Sequence, residues 1–198
     1  MEFYTWYDIL RWLDPADLKS TTPRCLLGAL LAVEARDWEL VGTLANLLCD
    51  VSQGRSLDRS HDRRAYAIAS ILHGVAYFER GDFRGATDNL ATATTILHRF
   101  PQPSDRLNEA IGRLAWSIVL ANSRRCSPAR IGDTRAKTEA VRSGAIQLAH
   151  EASDLAFMAS TYYAAKGDLE RWRAVKGMSD WIDERLKARL PVKIVVQV

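Results

Sequence analysis

The sequence is poor in residues that interrupt helices, with 11 glycines and 6 prolines among its 198 residues. Its three cysteines are an odd, widely spaced set, which suits reduced thiols better than a disulfide framework or a zinc site. No apolar run approaches the roughly 18 residues of a membrane span, and no signal peptide opens the chain, so we expect a cytoplasmic protein without membrane contact. The net charge of +3 is too small to indicate nucleic-acid binding by itself.

Catalytic signatures are also missing. The chain has no glycine-rich phosphate loop, no Gly-x-Ser-x-Gly elbow and no His-Glu-x-x-His helix. His73 takes an apolar position of a helical pattern, which indicates a partly buried structural histidine. His98 and His150 stand near predicted helix C-termini, where the helix dipole favours a cation. We therefore predict a protein that is not an enzyme, with no catalytic residue, no metal site and no cofactor.

What the sequence does contain is helical periodicity, and the best-defined stretch runs from residue 67 to residue 101. Apolar residues follow the 3-and-4 spacing of a buried helical face. Gly81 ends the first helix, because only glycine enters the left-handed conformation without a Cβ penalty, and Asp82 caps the next helix. Gly74 is a small residue inside a helix, which predicts a close approach of two backbones. The stretch reads as two antiparallel helices.

This stretch resembles a tetratricopeptide repeat, a degenerate helix-turn-helix unit. The positions that agree with the family pattern are Gly74, Tyr77, Gly81, Phe83, Ala86 and Ala93. Two positions depart from it, since Ser70 stands where the family has Trp and the closing Pro is displaced to Pro101. Equivalent turns are predicted at Arg36-Asp37-Trp38 and Gly167-Asp168-Leu169, 45 residues before and 86 residues after Asp82. That period is similar to long-repeat variants in sensor regions of bacterial signalling regulators.

The resemblance implies an all-α fold, a right-handed superhelix of about three antiparallel helical hairpins with an extra N-terminal helix and a short extended C-terminal tail. We predict a single domain over residues 1–198. Its parts are an N-terminal helix within 1–20, hairpins or capping units at 22–50, 58–100, 104–150 and 151–190, and a tail at 191–198. The N-terminal helix covers Glu2 to Leu13. The last hairpin begins near Glu151, and Phe157, Met158 and Tyr162 help to fill its first helix.

Function follows from the same resemblance, because in the family the first helix of each hairpin lines the inner surface and contacts the ligand. The residues carried over to such a face are Ile71, Val75, Phe78, Glu79, Arg113, Trp116, Phe157 and Thr161. An apolar, aromatic groove of this kind suits a hydrophobic peptide segment or a helix. We therefore predict a protein- or peptide-binding adaptor or regulatory module. The alternative is that Phe78 and Trp116 are core residues between repeats.

Two other functions stay open. Basic segments at 55–64 and 124–137 are compatible with a nucleic-acid-associated protein, although mixed charges without aromatic residues are typical of solvated loops. The candidate phosphate-binding residues are Arg55, Arg59, Arg63, Arg64, Arg124, Arg125 and Arg130. The β-branched tail at 191–198 could instead pair with a second copy, which would make the protein a self-assembling homo-oligomer.

Overall fold

The computed structural model describes residues 5–15, 21–53, 60–122 and 135–188. These residues form eight helices and no strand, which confirms the predicted all-α class. The helices are α1 (Trp6–Leu10), α2 (Thr21–Glu34), α3 (Trp38–Gln53), α4 (Ser60–Glu79), α5 (Phe83–Leu97), α6 (Pro103–Ala121), α7 (Arg135–Lys166) and α8 (Leu169–Lys187). The predicted tail at 191–198 lies outside the described residues.

Three connections between helices share one turn geometry, as the sequence predicted. A residue just past the first helix has a positive φ in each case, 58° at Arg36, 84° at Gly81 and 74° at Gly167. The left-handed conformation is the one that glycine adopts without strain, so Gly81 ends α4 for the predicted reason. Arg36 adopts it with a full side chain and therefore carries local strain.

The aspartate that follows each of these residues makes two hydrogen bonds that stabilise the turn, one through its backbone and one through its side chain. Its backbone N–H donates to a carbonyl five residues earlier, over 2.9 Å at Asp37, 2.8 Å at Asp82 and 3.0 Å at Asp168. Its side chain then accepts a hydrogen bond from the backbone N–H three residues later, which caps the next helix. The predicted capping role of Asp82 is thus confirmed, and the same role belongs to the other two aspartates.

Gly74 marks the predicted close approach between α4 and α5. A Cβ atom at Gly74 would lie 2.5 Å from Cγ of Leu90, so no larger residue fits there without displacing α5. The cost of a glycine inside a helix, about 1 kcal/mol relative to alanine, is offset by this packing.

Helix α6 lies at the centre of the fold and packs against α4, α5 and α7. Two contacts relate it to α4: Arg64 pairs with Asp105, and a Cβ at Gly112 would lie 3.4 Å from Cδ1 of Ile71. Both contacts join residues 41 positions apart, so α4 and α6 run side by side in the same direction. Among the described residues, α6 buries polar side chains as well as apolar ones.

The predicted boundary near Glu151 was wrong. Helix α7 runs without interruption from Arg135–Lys166, through the point where one helix was expected to end and a new hairpin to begin. No glycine or proline stands between Gly144 and Gly167, so no residue in that interval ends the helix. The boundary had been placed from the repeat period, whereas the local sequence is continuous helix.

The predicted N-terminal helix was too long. Helix α1 spans only Trp6–Leu10 and begins at a capping box, in which the side chains of Thr5 and Asp8 each accept from the other's backbone N–H. Residues 11 and 12 form a turn, and residues 13–15 have no regular secondary structure. Pro15 disfavours the helical conformation at Asp14, which lies beyond this end.

Candidate peptide-binding face

Helix α6 carries polar residues at positions where helices usually carry apolar ones. Asp105, Asn108 and Glu109 are 1%, 2% and 0% exposed. Polar groups buried this deeply are destabilising unless they are hydrogen-bonded or paired. Each of the three has such partners. Those of Asp105 and Asn108 lie 41 and 94 residues away, whereas those of Glu109 lie within 11 residues of it.

Asn108 binds the main chain of Asp14. The backbone N–H of Asp14 donates to Oδ1 of Asn108 over 2.8 Å, and Nδ2 of Asn108 donates to the carbonyl of Asp14 over 2.9 Å. A side-chain amide offers one acceptor and two donors, so this pairing satisfies both backbone polar groups of one residue that lies outside the helices. Asn108 therefore recognises the backbone of Asp14 and not its side chain.

The side chain of Asp14 is bound by two further residues. Its Oδ2 accepts from Oη of Tyr163 over 2.9 Å and from Nη1 of Arg171 over 2.7 Å. Burial and the nearby Asp14 carboxylate together raise the pKa of Tyr163, which keeps the phenol protonated as a donor. The carboxylate of Asp14 is 4% exposed, so it is neutralised inside the protein and not in solvent.

Trp6 provides the contact at the other end of the same segment. Its Nε1–H donates to Oε1 of Glu79 over 2.6 Å, and its ring meets Phe78 edge to face with centroids 6.0 Å apart. Phe78 and Glu79 are two of the residues that the family resemblance assigned to ligand contact. Here the chain's own tryptophan contacts them.

Residues 5–15, which we call the N-terminal segment, therefore cover a surface made from four helices. We call that surface the acceptor face and define it by the residues Phe78, Glu79, Asn108, Tyr163 and Arg171. Between its two polar ends the segment buries Ile9 and Leu10 completely and Leu13 to 4% exposure. A hydrogen-bonded backbone, apolar anchors and a bound carboxylate are the features of a peptide seated on a receptor.

Glu109 is the centre of a separate network of charges. It accepts from Arg113, Arg106 and His98, and Arg113 also pairs with Glu151 of α7. The carboxylate of Glu109 is completely buried and saturated with donors. Arg113, predicted to contact a partner, is instead engaged in joining α6 to α7.

The other predicted partner contacts fall into three groups. Ile71 and Val75 are fully buried, so their side chains present no surface to a partner, and their assignment to a groove is revised. Trp116 is half-buried against the core, and its indole Nε1 has no hydrogen-bond partner among the described residues. Phe157 and Thr161 are exposed on α7.

The exposure of α7 corrects another expectation. Phe157, Met158 and Tyr162 were predicted to fill a helix interface, yet they are 56%, 59% and 40% exposed. The buried side of this part of α7 is formed by small residues instead, including Ala152, Ala156 and Ser160. Large apolar residues next to alanines gave no indication of which side faces the core.

Arg64 is not available for phosphate binding. Its guanidinium makes two hydrogen bonds to Asp105, 2.7 and 2.8 Å long, and stacks over the ring of Phe100 at 4.5 Å. Asp105, in the first turn of α6, is this buried partner. Arg63 is exposed. The remaining residues of the proposed basic patch, Arg55, Arg59, Arg124, Arg125 and Arg130, lie outside the described residues.

Two further side-chain types bear on chemistry. Cys25 and Cys49 are reduced, half-buried thiols, and burial followed by the neighbouring Asp50 raises the pKa of Cys49 to about 11. His73 is half-buried, as predicted, with Nε2 3.2 Å from the carbonyl of Gly42. Within the described ranges, no cluster of three or more His, Cys, Asp or Glu side chains is arranged to hold a metal ion.

The helices of the described ranges include none with the length and apolar character needed to cross a membrane. No protein-family model matches the chain, and no curated protein or solved structure shows significant similarity to it. The functional conclusion therefore depends on the acceptor face itself.

Proposed function

We propose that this protein is a non-catalytic protein- or peptide-binding adaptor or regulatory module. The observation that carries the proposal is the way in which the acceptor face holds the N-terminal segment. Asn108 binds backbone, Tyr163 and Arg171 bind a carboxylate, and buried apolar side chains lie between that site and Trp6. A surface that binds one segment in this way has the chemistry to bind another.

The proposal includes a tetratricopeptide-like stack of antiparallel helical hairpins that forms a right-handed superhelix. The 41-residue offset between α4 and α6 supports it, because equivalent helices of stacked repeats lie side by side in the same direction. Contacts between α6 and α7 also support it: Arg113 meets Glu151, whereas Ser117, further along α6, meets the backbone of Ala145. Residue numbers that rise on one helix and fall on the other belong to antiparallel neighbours.

Peptide selection on the immobilised full-length chain tests this function. From a displayed library of random peptides we expect enrichment of sequences that combine aromatic or aliphatic residues with an acidic one. Their affinities should fall only modestly with salt, since a single carboxylate is the charged group that the interface binds. Enrichment of no peptide, or retention of DNA or RNA oligonucleotides with a steep salt dependence, would contradict the proposal.

A pair of exposed residues provides a matched control for the same selection. Phe157→Ser should weaken the selected peptides if the predicted contact of Phe157 extends the binding surface along α7. Leu27→Ser removes an apolar side chain of similar exposure, 60% against 56%, from α2 at the other end of the chain. The second variant should leave peptide affinity unchanged.

A further inference from the structure

We infer that the N-terminal segment is a built-in competitor, which a partner must displace from the acceptor face with a segment of the same chemistry. This inference rests on the proposed function and adds to it the chemistry of the partner and the regulation of the site. It starts from the contacts of the segment and not from any exposed patch.

The contacts specify what a competing segment must carry. An aromatic N–H donor is needed at the position of Trp6, to reach Glu79 and pack on Phe78. Apolar side chains are needed at the positions of Ile9, Leu10 and Leu13, which are buried. An acidic residue follows eight positions after the aromatic one, where Asp14 meets Tyr163 and Arg171. The partner is thus an acidic, aromatic peptide segment.

The segment can leave without unfolding the rest of the chain. Helix α1 has five residues, far fewer than an isolated helix needs to persist in water. Its order therefore depends on the acceptor face and on α2, which it also contacts, whereas α2 to α8 retain their own backbone hydrogen bonds when it leaves. Release without a partner would expose Ile9, Leu10 and Leu13 to water, so the free protein stays closed until a replacement arrives.

If the N-terminal segment occupies the acceptor face, substitutions on that face should affect the affinity of an added peptide in a distinctive way. A substitution on the acceptor face weakens the internal segment and the competing peptide together, so the two losses cancel while the segment is mostly bound. The same substitution reduces the affinity of an added peptide only when the internal segment has already been weakened. A site that is merely vacant would respond equally in both backgrounds.

The first test measures fluorescence anisotropy of a labelled synthetic peptide of residues 5–15 with the full-length chain. The chain with Asp14→Ala should bind it at least about tenfold more tightly than the wild-type chain, because a charged hydrogen-bonded contact of the competitor has been removed. Arg11→Ala, at an exposed position of the same segment, is the matched control and should change nothing. A peptide carrying Asp14→Ala itself should bind about tenfold more weakly.

The second test uses Tyr163→Phe, which removes the phenol donor but keeps the ring. It should alter peptide affinity by less than about twofold in the wild-type chain, and weaken it about tenfold in the Asp14→Ala chain. If Asp14→Ala does not fold, Trp6→Phe replaces it, since it removes the contact with Glu79 and preserves packing.

Equal affinity of the peptide for wild-type and weakened chains, or no binding to either, would overturn the inference. The library selection separates the two failures. Selected peptides that bind while the peptide of residues 5–15 does not would refute only the inference, whereas a library without any binder would refute the proposed function as well.

Discussion

Arg64 shows how a single residue can mislead when only its neighbours in sequence are visible. It belongs to a run of charged residues that suggested a phosphate-binding loop, and it is 7% exposed between Asp105 and Phe100. Its partner lies 41 residues away. The first turn of α4 gives no local sign of that pairing, so neither the burial nor the ion pair could be predicted from sequence.

Substitution of this arginine tests its structural role. Arg64→Ala leaves the carboxylate of Asp105 buried without its cation, and we expect the free energy of unfolding to fall by about 3–5 kcal/mol. Arg63→Ala changes an exposed neighbour and should fall within about 0.5 kcal/mol of wild type. Urea unfolding of the two variants measures the difference. Equal stabilities would mean that Arg64 is a surface residue after all.

His73 supplies a prediction about pH. Burial lowers its pKa, and the smaller opposing effect is the hydrogen bond with the carbonyl of Gly42. The unfolded chain therefore takes up the proton first, at a pKa of about 6.5. The contribution of neutral His73 to the free energy of unfolding is therefore complete above that pH. It is lost as the pH falls toward the lowered pKa of the folded state.

The variant His73→Gln should consequently lose less stability than wild type between about pH 7.5 and pH 5.5. His150→Gln, which removes a histidine at an exposed position of α7, is measured alongside as the matched control. Unfolding free energies at several pH values decide the matter. Identical slopes for wild type and His73→Gln would show that His73 does not titrate with a shifted pKa.

At the scale of elements, the helix end predicted from the residues that form it was correct, whereas the helix end transferred from the repeat period was wrong. The turns at Gly81 and Asp82 could be predicted because a helix end depends on the residues that form it. The break near Glu151 could not be, since it was transferred from a repeat period to a stretch with no helix-ending residue. The length of α1 was misjudged because the apolar periodicity continues to Leu13, past the turn that follows Leu10.

The three equivalent turns offer a graded test of backbone strain. Arg36 has a φ of 58° where the other two turns have glycine. We expect Arg36→Gly to raise the unfolding free energy by up to about 1 kcal/mol, because relief of strain exceeds the added entropy of the unfolded chain. Gly81→Ala should lower it by about 1 kcal/mol.

Helix α7 supplies the matched control for that glycine. Arg142→Gly lies in the helix interior at an exposed position and should be destabilising by about 1 kcal/mol. Thermal or chemical unfolding compares the variants directly. A destabilised Arg36→Gly protein would indicate that the arginine side chain makes contacts worth more than the strain.

At the scale of the whole molecule, the acceptor face could be anticipated only in part. Phe78 and Glu79 were selected from the family resemblance, and the structure places both against Trp6. Asn108, Tyr163 and Arg171 were missed, because their common partner Asp14 is between 94 and 157 residues distant. One signal was available: Asn108 stands among the apolar residues of α6, where an amide requires a buried partner.

The occupant of the face was missed for a related reason. Neighbouring elements in sequence usually pack together, and α1 does contact α2. The polar atoms of the segment also bind α4, α6, α7 and α8, which the sequence did not indicate. Only the three-dimensional arrangement brings these four helices to one surface.

Amide hydrogen exchange of the full-length chain, with and without a peptide selected from the library, tests the central claim most directly. Without peptide, the Asp14 amide should exchange slowly, because it donates to the buried side chain of Asn108. Added peptide should accelerate exchange across residues 5–15 while the amides of α4 and α6 stay protected. Slow exchange of residues 5–15 that a saturating peptide leaves unchanged would contradict the account, because the segment would then be a permanent part of the core.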